Sequence, residues 1–272
     1  MNELVELTVD HGVATLWLNR PAKRNAVNHE MWEAIGGQCR RLAAAPEVRV
    51  LVVRGVGDHF CAGADIGGLS RANTDYGDAN RTAEASLSGF PKPSIAFIRG
   101  SCVGGGVQLA ASCDLRIADT TARLGITPAR LGLVYPPAAL QRVVALIGPS
   151  AAKHLLFSAE LIDAARALRI GLLDEVHEPE AAEARLVTFA RLLAEERSLL
   201  TQQASKQMID ALTAKGRVDD ELTARWSAEL AGSGDVDEGV RAFLERRSPN
   251  FTWSGPATTD RSPGAEDADR RG

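Results

Sequence analysis

Gly100-Ser101-Cys102-Val103-Gly104-Gly105-Gly106-Val107-Gln108-Leu109 is the stretch on which the reading of this chain turns. Just before it, Ser94 to Ile98 is a short, mostly apolar run of the kind that forms a buried strand. Just after the glycines, Val107 to Ala111 opens a helix. The glycines therefore make a strand-to-helix turn without bulky side chains. Backbone N–H groups in such a turn can face a ligand, and the positive end of the helix dipole adds to them. A second segment of the same kind, Phe60-Cys61-Ala62-Gly63-Ala64-Asp65-Ile66, follows the apolar run Val48 to Val53. Two N–H groups converging on one carbonyl oxygen would stabilise negative charge developing there. Neither segment is a phosphate loop, because the G-x-x-x-x-G-K-[ST] lysine and hydroxyl are absent, and the G-x-G-x-x-G dinucleotide spacing fails.

Working outward, Leu4 to Val9 and Val13 to Leu18 alternate apolar and polar residues around Asp10-His11-Gly12, which predicts a β-hairpin with one buried face. Asn28 is placed to cap a helix whose Met31, Trp32, Ile35, Cys39 and Leu42 share one face. Tyr76 to Phe90 reads as helix, ended by Pro91-Lys92-Pro93, and Leu115 to Ala118 reads as a further buried strand. Strands thus alternate with helices to about residue 150, which predicts an α/β fold with parallel pairing. From Ser150 onward the pattern predicts helices alone: 150–157, 163–170, 180–196, 201–213, 219–231 and 235–246. From Ser254 the chain is Pro, Gly, Ser, Thr and charge, and a disordered tail is expected.

Composition excludes several classes of function. The net charge is −4 and no basic stripe occurs, which argues against nucleic-acid binding; Arg40–Arg41 reads as a solvated helix face. No apolar run approaches the length of a membrane span, and Met1 to Asp10 does not read as a signal peptide, so a cytoplasmic location is expected. Cys39, Cys61, Cys102 and Cys113 form no C-x-x-C pair and no zinc-ligand spacing, and are expected to be reduced structural thiols. No metal is expected.

Taken in order, five segments resemble the crotonase (enoyl-CoA hydratase/isomerase) family over about residues 3 to 253. Leu18-Asn19-Arg20-Pro21 through Arg24-Asn25-Ala26-Val27 is similar to the family's N-R-P-x-x-x-N-A-L segment. Cys61 to Ile66 is similar to its A-G-A-D-I/L segment, and Pro91-Lys92-Pro93 to the K-P that precedes its next strand. Gly104-Gly105-Gly106 with Cys113-Asp114 resembles its G-G-G-x-x-L-x-x-x-C-D helix, and Phe243 to Phe251 its A-F-x-E-K-R-x-P-x-F signature. The resemblance implies a crotonase-like (ClpP/crotonase) ββα superhelix over residues 1–195, a helical trimerisation region over 196–253 and the tail over 254–272. It implies an acyl-CoA thioester as substrate or ligand, no permanently bound cofactor, and a homotrimer or a hexamer built as a dimer of trimers. The oxyanion hole would be the N–H groups of Ala64 and Gly105. Backbone around Arg24, Asn25, Ala26 and Val27, and around Ala62, Ala64, Asp65 and Ile66, would line the coenzyme A cleft. Arg246–Arg247 would lie either near the coenzyme phosphates or simply at the surface.

Two positions depart from the family pattern. The hydratases use two glutamates. The first position is Gln108 here, and an amide exchanges no proton near neutral pH although it can orient a water or a carbonyl. The second falls in F-G-x-P-E-x-x-L-G, where Leu124 to Gly132 aligns Pro128 with the glutamate. General acid–base groups contribute about 10²–10⁴-fold each, so standard two-glutamate hydration is not expected.

Tyr135, beside Pro128, together with Thr127-Pro128 and Leu131-Gly132, resembles the methylmalonyl-CoA decarboxylase branch, although that branch has a histidine at the place of Ala64. Tyr135 reads equally as a packing residue. Glu84 reads as a solvated helix residue or a relocated acid. Arg130 reads as a partner for an acyl carboxylate or a surface residue, and His59 as a turn residue. Asp114 reads as a buried hydrogen-bonded acid, and His154 and His177 have no partner in view. Three readings stay open: an enolate-stabilising acyl-CoA enzyme with decarboxylase-like chemistry, a non-catalytic acyl-CoA-binding protein, and a hydratase with relocated acid and base.

Overall fold

The computed structural model describes residues 3–68 and 74–255. The chain opens with the expected hairpin, β1 (Val5–Asp10) antiparallel to β2 (Val13–Leu18), with Val5 opposite Leu18. His11 and Gly12 turn it at φ of 50° and 75°. Next comes α1 (His29–Ala44), capped as predicted: the Asn28 side chain accepts from the Met31 N–H at 3.0 Å. Its predicted apolar face is buried.

The middle of the chain then runs β3 (Val50–Gly55), α2 (Thr74–Ser88), β4 (Ser94–Ile98), β5 (Ser101–Val103), α3 (Gly105–Ser112), β6 (Leu115–Asp119) and β7 (Arg123–Gly125). After it come α4 (Pro137–Ser158), β8 (Ile162–Asp163), α5 (Ala164–Arg169), β9 (Glu175–His177), α6 (Pro179–Glu195), α7 (Leu199–Lys215), α8 (Asp220–Ser233) and α9 (Asp235–Glu245).

A six-stranded sheet has the order β1-β2-β3-β4-β6-β9, parallel from β2 onward, and a three-stranded sheet has the order β5-β7-β8. Alternate residues of the central strands go to opposite faces. Val50, Val52, Ile95 and Phe97 pack under Ala182, Leu186, Ala190 and Ala194 of α6. Leu51, Val53, Ala96 and Ile98 belong to the larger core that includes Met31, Trp32 and Leu87. A parallel sheet covered on both faces explains why these strands read as apolar runs rather than as alternating ones.

Three expectations are corrected. The chain beyond Ser150 is not helix alone, because β9 adds a strand to the edge of the main sheet and β8 pairs with β7. Both strands are too short to leave a periodic signature. The Gly100–Gly106 turn contains β5, which pairs in parallel with β7. The helix placed at 150–157 is the second half of α4, which begins at Pro137 and breaks at Gly148, φ 74°. Of the expected tail, residues 256–272 lie outside the described residues.

Candidate functional site

Segment 24–27 and segment 61–65 are knit together by main-chain bonds. Val27 N–H donates to Gly63 O at 2.8 Å, Asp65 N–H to Val27 O at 2.9 Å, and Ala62 N–H to Arg24 O at 2.9 Å. Arg24 and Asn25 sit in the left-handed region, at φ 49° and 57°. Asn25 is fully buried; its side chain accepts from Arg20 N–H and donates to Val56 O and His59 O, so it holds the loop and is not free for a ligand. Arg20 reaches across to Asp65 Oδ2 at 2.9 Å, and that guanidinium holds the Asp65 carboxyl below its ordinary pKa, with help from the Gly67 N–H.

Segment 61–65 in turn lies against the start of α3. Cys61 and Cys102 form an isolated parallel bridge. Gly104 stands at φ 53° and ψ −106°, a conformation that a side chain would strain. At Gly106 a Cβ would fall 2.5 Å from Cys61 O, so the close approach of helix to loop needs glycine there. A Cβ on Gly105 would lie 3.2 Å from Ala64 N, so the Ala64 nitrogen lies against Gly105. Among the described residues neither the Ala64 nor the Gly105 N–H has an acceptor. The second is the first residue of α3, where no intrahelical acceptor exists. Two adjacent unpaired donors at a helix N-terminus can hold one developing oxyanion.

Both nitrogens open on a cavity of about 270 Å³ whose lining includes Ala62, Ala64, Gly105, Gln108, Pro128 and Tyr135. The structure thus brings Ala64, Gly105, Gln108, Pro128 and Tyr135 together on one cavity. Ile66 also lines it, while Arg24 is exposed and Val27 buried. No Asp or Glu side chain lines it among the described residues.

Tyr135 is buried, and its hydroxyl donates to Gly104 O at 3.3 Å. Burial and the nearby Glu84 push its phenol well above the ordinary value, so it remains protonated. A larger cavity of about 670 Å³ opens elsewhere, between α4, α7 and the end of α3. Neither Ala64 nor Gly105 lines it; both line the smaller cavity.

Glu84 requires a correction. It is 2% exposed, not solvated. One of its oxygens pairs with Arg142 and the other accepts from Gln108 Nε2 at 2.8 Å. Gln108 Nε2 also donates to Asn80 Oδ1 at 2.8 Å, and Asn80 Nδ2 donates back to Gln108 Oε1 at 3.2 Å. Glu84 is thus behind the amide wall of the cavity and not in its lining.

Asn80 and Arg142 escaped the sequence reading. Asn80 had a faint signal, since it shares a helical face with Glu84 four residues on. Arg142 had none, being 58 positions from Glu84. His59 is a turn residue as read, its Nδ1 accepting from Ser101 N–H at 3.1 Å. His154 and His177 face Glu160 and Glu175, away from the cavity. Arg130 is exposed and outside the lining, and Asp114 accepts from Ser94 and Lys206. Arg247 pairs with Glu238 and Glu245. No trio of His, Cys, Asp or Glu is arranged for a metal ion, and no helix is long and apolar enough to cross a membrane, among the described residues.

Residues 8–254 match the enoyl-CoA hydratase/isomerase family. The chain belongs to that family. It is 31% identical to the crotonyl-CoA hydratase of Syntrophomonas wolfei over 92% of this chain and 98% of that one. It is 32% identical to the 2,3-dehydroadipyl-CoA hydratase of Escherichia coli, over 92% of this chain and 99% of the relative. Among solved structures, an enoyl-CoA hydratase/carnithine racemase from Magnetospirillum magneticum superposes with a TM-score of 0.87 at 28% identity, covering 92% and 96% of the two chains. The crotonase fold expected from the sequence is therefore the fold of this family member, and CoA thioesters are the substrates of its family.

Proposed function

We propose that this protein binds an acyl-CoA thioester with its carbonyl oxygen between the N–H groups of Ala64 and Gly105, and stabilises the enolate formed there. The observation that carries this reading is the pair of adjacent, unpaired backbone donors opening on one cavity. A preorganised donor of this kind is worth roughly 3–4 kcal/mol to an oxyanionic transition state. The main chain of 24–27 and 62–66 forms the coenzyme side of the cleft. Helices α7 to α9 serve as the association region of a trimer, with Val240, Phe243 and Leu244 exposed on α9.

Gln108 and Pro128 occupy the places of the two hydratase glutamates, so a step that needs no side-chain base suits the cavity best. Decarboxylation of a malonyl-type thioester is such a step. The bond from C2 to the carboxylate breaks, CO₂ leaves, and its electron pair becomes the enolate that the two N–H groups hold. Water then protonates C2. A second reading, hydration by relocated groups, is favoured by the hydratase names of the relatives. It is disfavoured by Glu84, which is tied to Arg142 and screened by Gln108.

The test is the ultraviolet enoyl-thioester band of crotonyl-CoA mixed with the protein, followed by malonyl-type thioesters. No hydration together with CO₂ release from a malonyl-type thioester is the expected result. Loss of the enoyl band at roughly 1 s⁻¹ or faster establishes hydration instead. Binding without any turnover establishes a non-catalytic acyl-CoA-binding protein.

A further inference from the structure

The amide wall of the cavity has one fixed polarity, and a single residue sets it. An ionised carboxylate only accepts hydrogen bonds, and an amide donates only through its nitrogen. Glu84, paired with Arg142, therefore obliges Gln108 to turn Nε2 toward it, 2.8 Å from Oε2. Gln108 Oε1 must then face Asn80, so Asn80 must turn Nδ2 toward Gln108, at 3.2 Å, and Oδ1 toward Nε2, at 2.8 Å. Both hydrogens of Gln108 Nε2 are now committed, one to Glu84 and one to Asn80. One amide hydrogen of the pair has no acceptor among the described residues, and it is on Asn80 Nδ2. Asn80 and Gln108 both line the cavity into which the Ala64 and Gly105 donors open, and Gln108 lies within one helical turn of Gly105.

From this we infer that Asn80 is a specificity-determining residue, donating from Nδ2 to an acceptor oxygen on the third carbon of the bound acyl chain, and that Glu84 is the residue that positions it through Gln108. The inference rests on the acyl-CoA reading above and deepens it by naming the acyl class: chains with an oxygen at C3, such as 3-oxoacyl or carboxyacetyl groups, in preference to plain alkyl chains. A plain chain would leave the half-buried Asn80 donor without that partner, which a site built around a hydrogen bond disfavours.

Calorimetric titration of the wild-type protein with butyryl-CoA and acetoacetyl-CoA, which differ by the C3 oxygen, tests this. Acetoacetyl-CoA is expected to bind about tenfold more tightly, the effect of one neutral hydrogen bond. In Asn80→Leu the ratio falls to within about twofold. Glu84→Gln lets the amides turn either way, and its ratio falls between the two. Thermal melts confirm that each variant is folded.

Equal affinities in the wild-type protein overturn the inference. So does a preference that persists in a folded Asn80→Leu protein, because the oxygen is then held elsewhere. Tight butyryl-CoA binding with no preference leaves the acyl-CoA reading standing, whereas failure of both thioesters to bind overturns that reading and this one together.

Discussion

Gln108 Nε2 lies 2.8 Å from Glu84 Oε2, so an amide of the cavity wall is hydrogen-bonded to a carboxylate buried behind it. The contact ties the orientation of the Gln108 amide to the Glu84 carboxylate, and it marks the position where one substitution would do the most electrostatic work.

Replacing Gln108 by Glu sets two carboxyls against each other where the wild-type protein has a donor and an acceptor. One carboxyl is then held protonated, with its folded pKa above the ordinary value. A raised folded pKa contributes stability that is present below about pH 4 and is lost as pH rises through the folded value. Gln108→Glu is expected to be about 2–3 kcal/mol less stable than the wild-type protein at pH 7 and close to it at pH 4. Adding Glu84→Gln should remove that pH dependence. Denaturant melts across the pH range measure both.

Removing the guanidinium of Arg142 leaves the Glu84 carboxylate buried with an amide as its remaining partner. Breaking a fully buried pair costs about 3–5 kcal/mol, and the partial exposure of Arg142 lowers this to about 1–3 kcal/mol. Arg142→Met should therefore lower the melting temperature, and Glu84→Gln in the same chain should recover part of the loss. A double-mutant cycle gives the coupling.

Gly106→Ala puts a methyl group where Cys61 O leaves 2.5 Å, a main-chain contact that cannot swing aside. The expected result is a loss of about 1–3 kcal/mol in stability, read from a thermal melt. Helix α3 would also be pushed away from segment 61–65, parting the Gly105 and Ala64 donors and weakening acyl-CoA binding.

Arg185 and, secondarily, His177 hold the Glu175 carboxyl down to about 2. A depressed folded pKa contributes stability that is present above the unfolded value, near 4.3, and lost as pH falls through about 2. Arg185→Ala should cost about 1 kcal/mol at pH 6, where β9 is clamped to α6, and progressively less between pH 4 and 2. An acid titration followed by circular dichroism in both proteins shows the difference.

All four cysteines are buried and free, and burial pushes the Cys39 and Cys61 thiols up to about 12. None should react with a thiol-directed disulfide reagent at pH 7.4 in the folded protein, and all four should react in guanidinium. A reactive thiol in the native protein would contradict this packing.

The parts legible in advance were those set by local chemistry. Asn28 announced its cap, the alternation around His11-Gly12 its hairpin, and the glycines from 104 to 106 the start of α3. Their physical cause lies within a few residues of themselves. The strands β8 and β9 were missed because two or three residues carry no period, and their existence depends on the distant partners β7 and β6.

Glu84 was misread for a related reason. A charged residue on a helix of weak amphipathicity reads as solvated, and what buries it is Arg142 on α4 together with Gln108 on α3. The donor pair at Ala64 and Gly105 was named from the resemblance of the Cys61–Ile66 and Gly104–Gly106 segments to the family's motifs. The amide wall could not be named in this way, since its orientation is decided by a contact between three helices.

The two unpaired donors of this cavity belong to the peptide backbone. Changing the side chain at position 64 or 105 leaves both hydrogens in place, and proline is the one amino acid that deletes either of them. Mutation therefore reaches the two halves of the site unequally. The backbone donors survive substitution at their own two positions, while at Gln108, Asn80, Pro128 and Tyr135 a single substitution exchanges the group that faces the cavity. On the reading proposed above, a lineage built on this scaffold would be expected to exchange its side-chain chemistry more readily than its backbone donors.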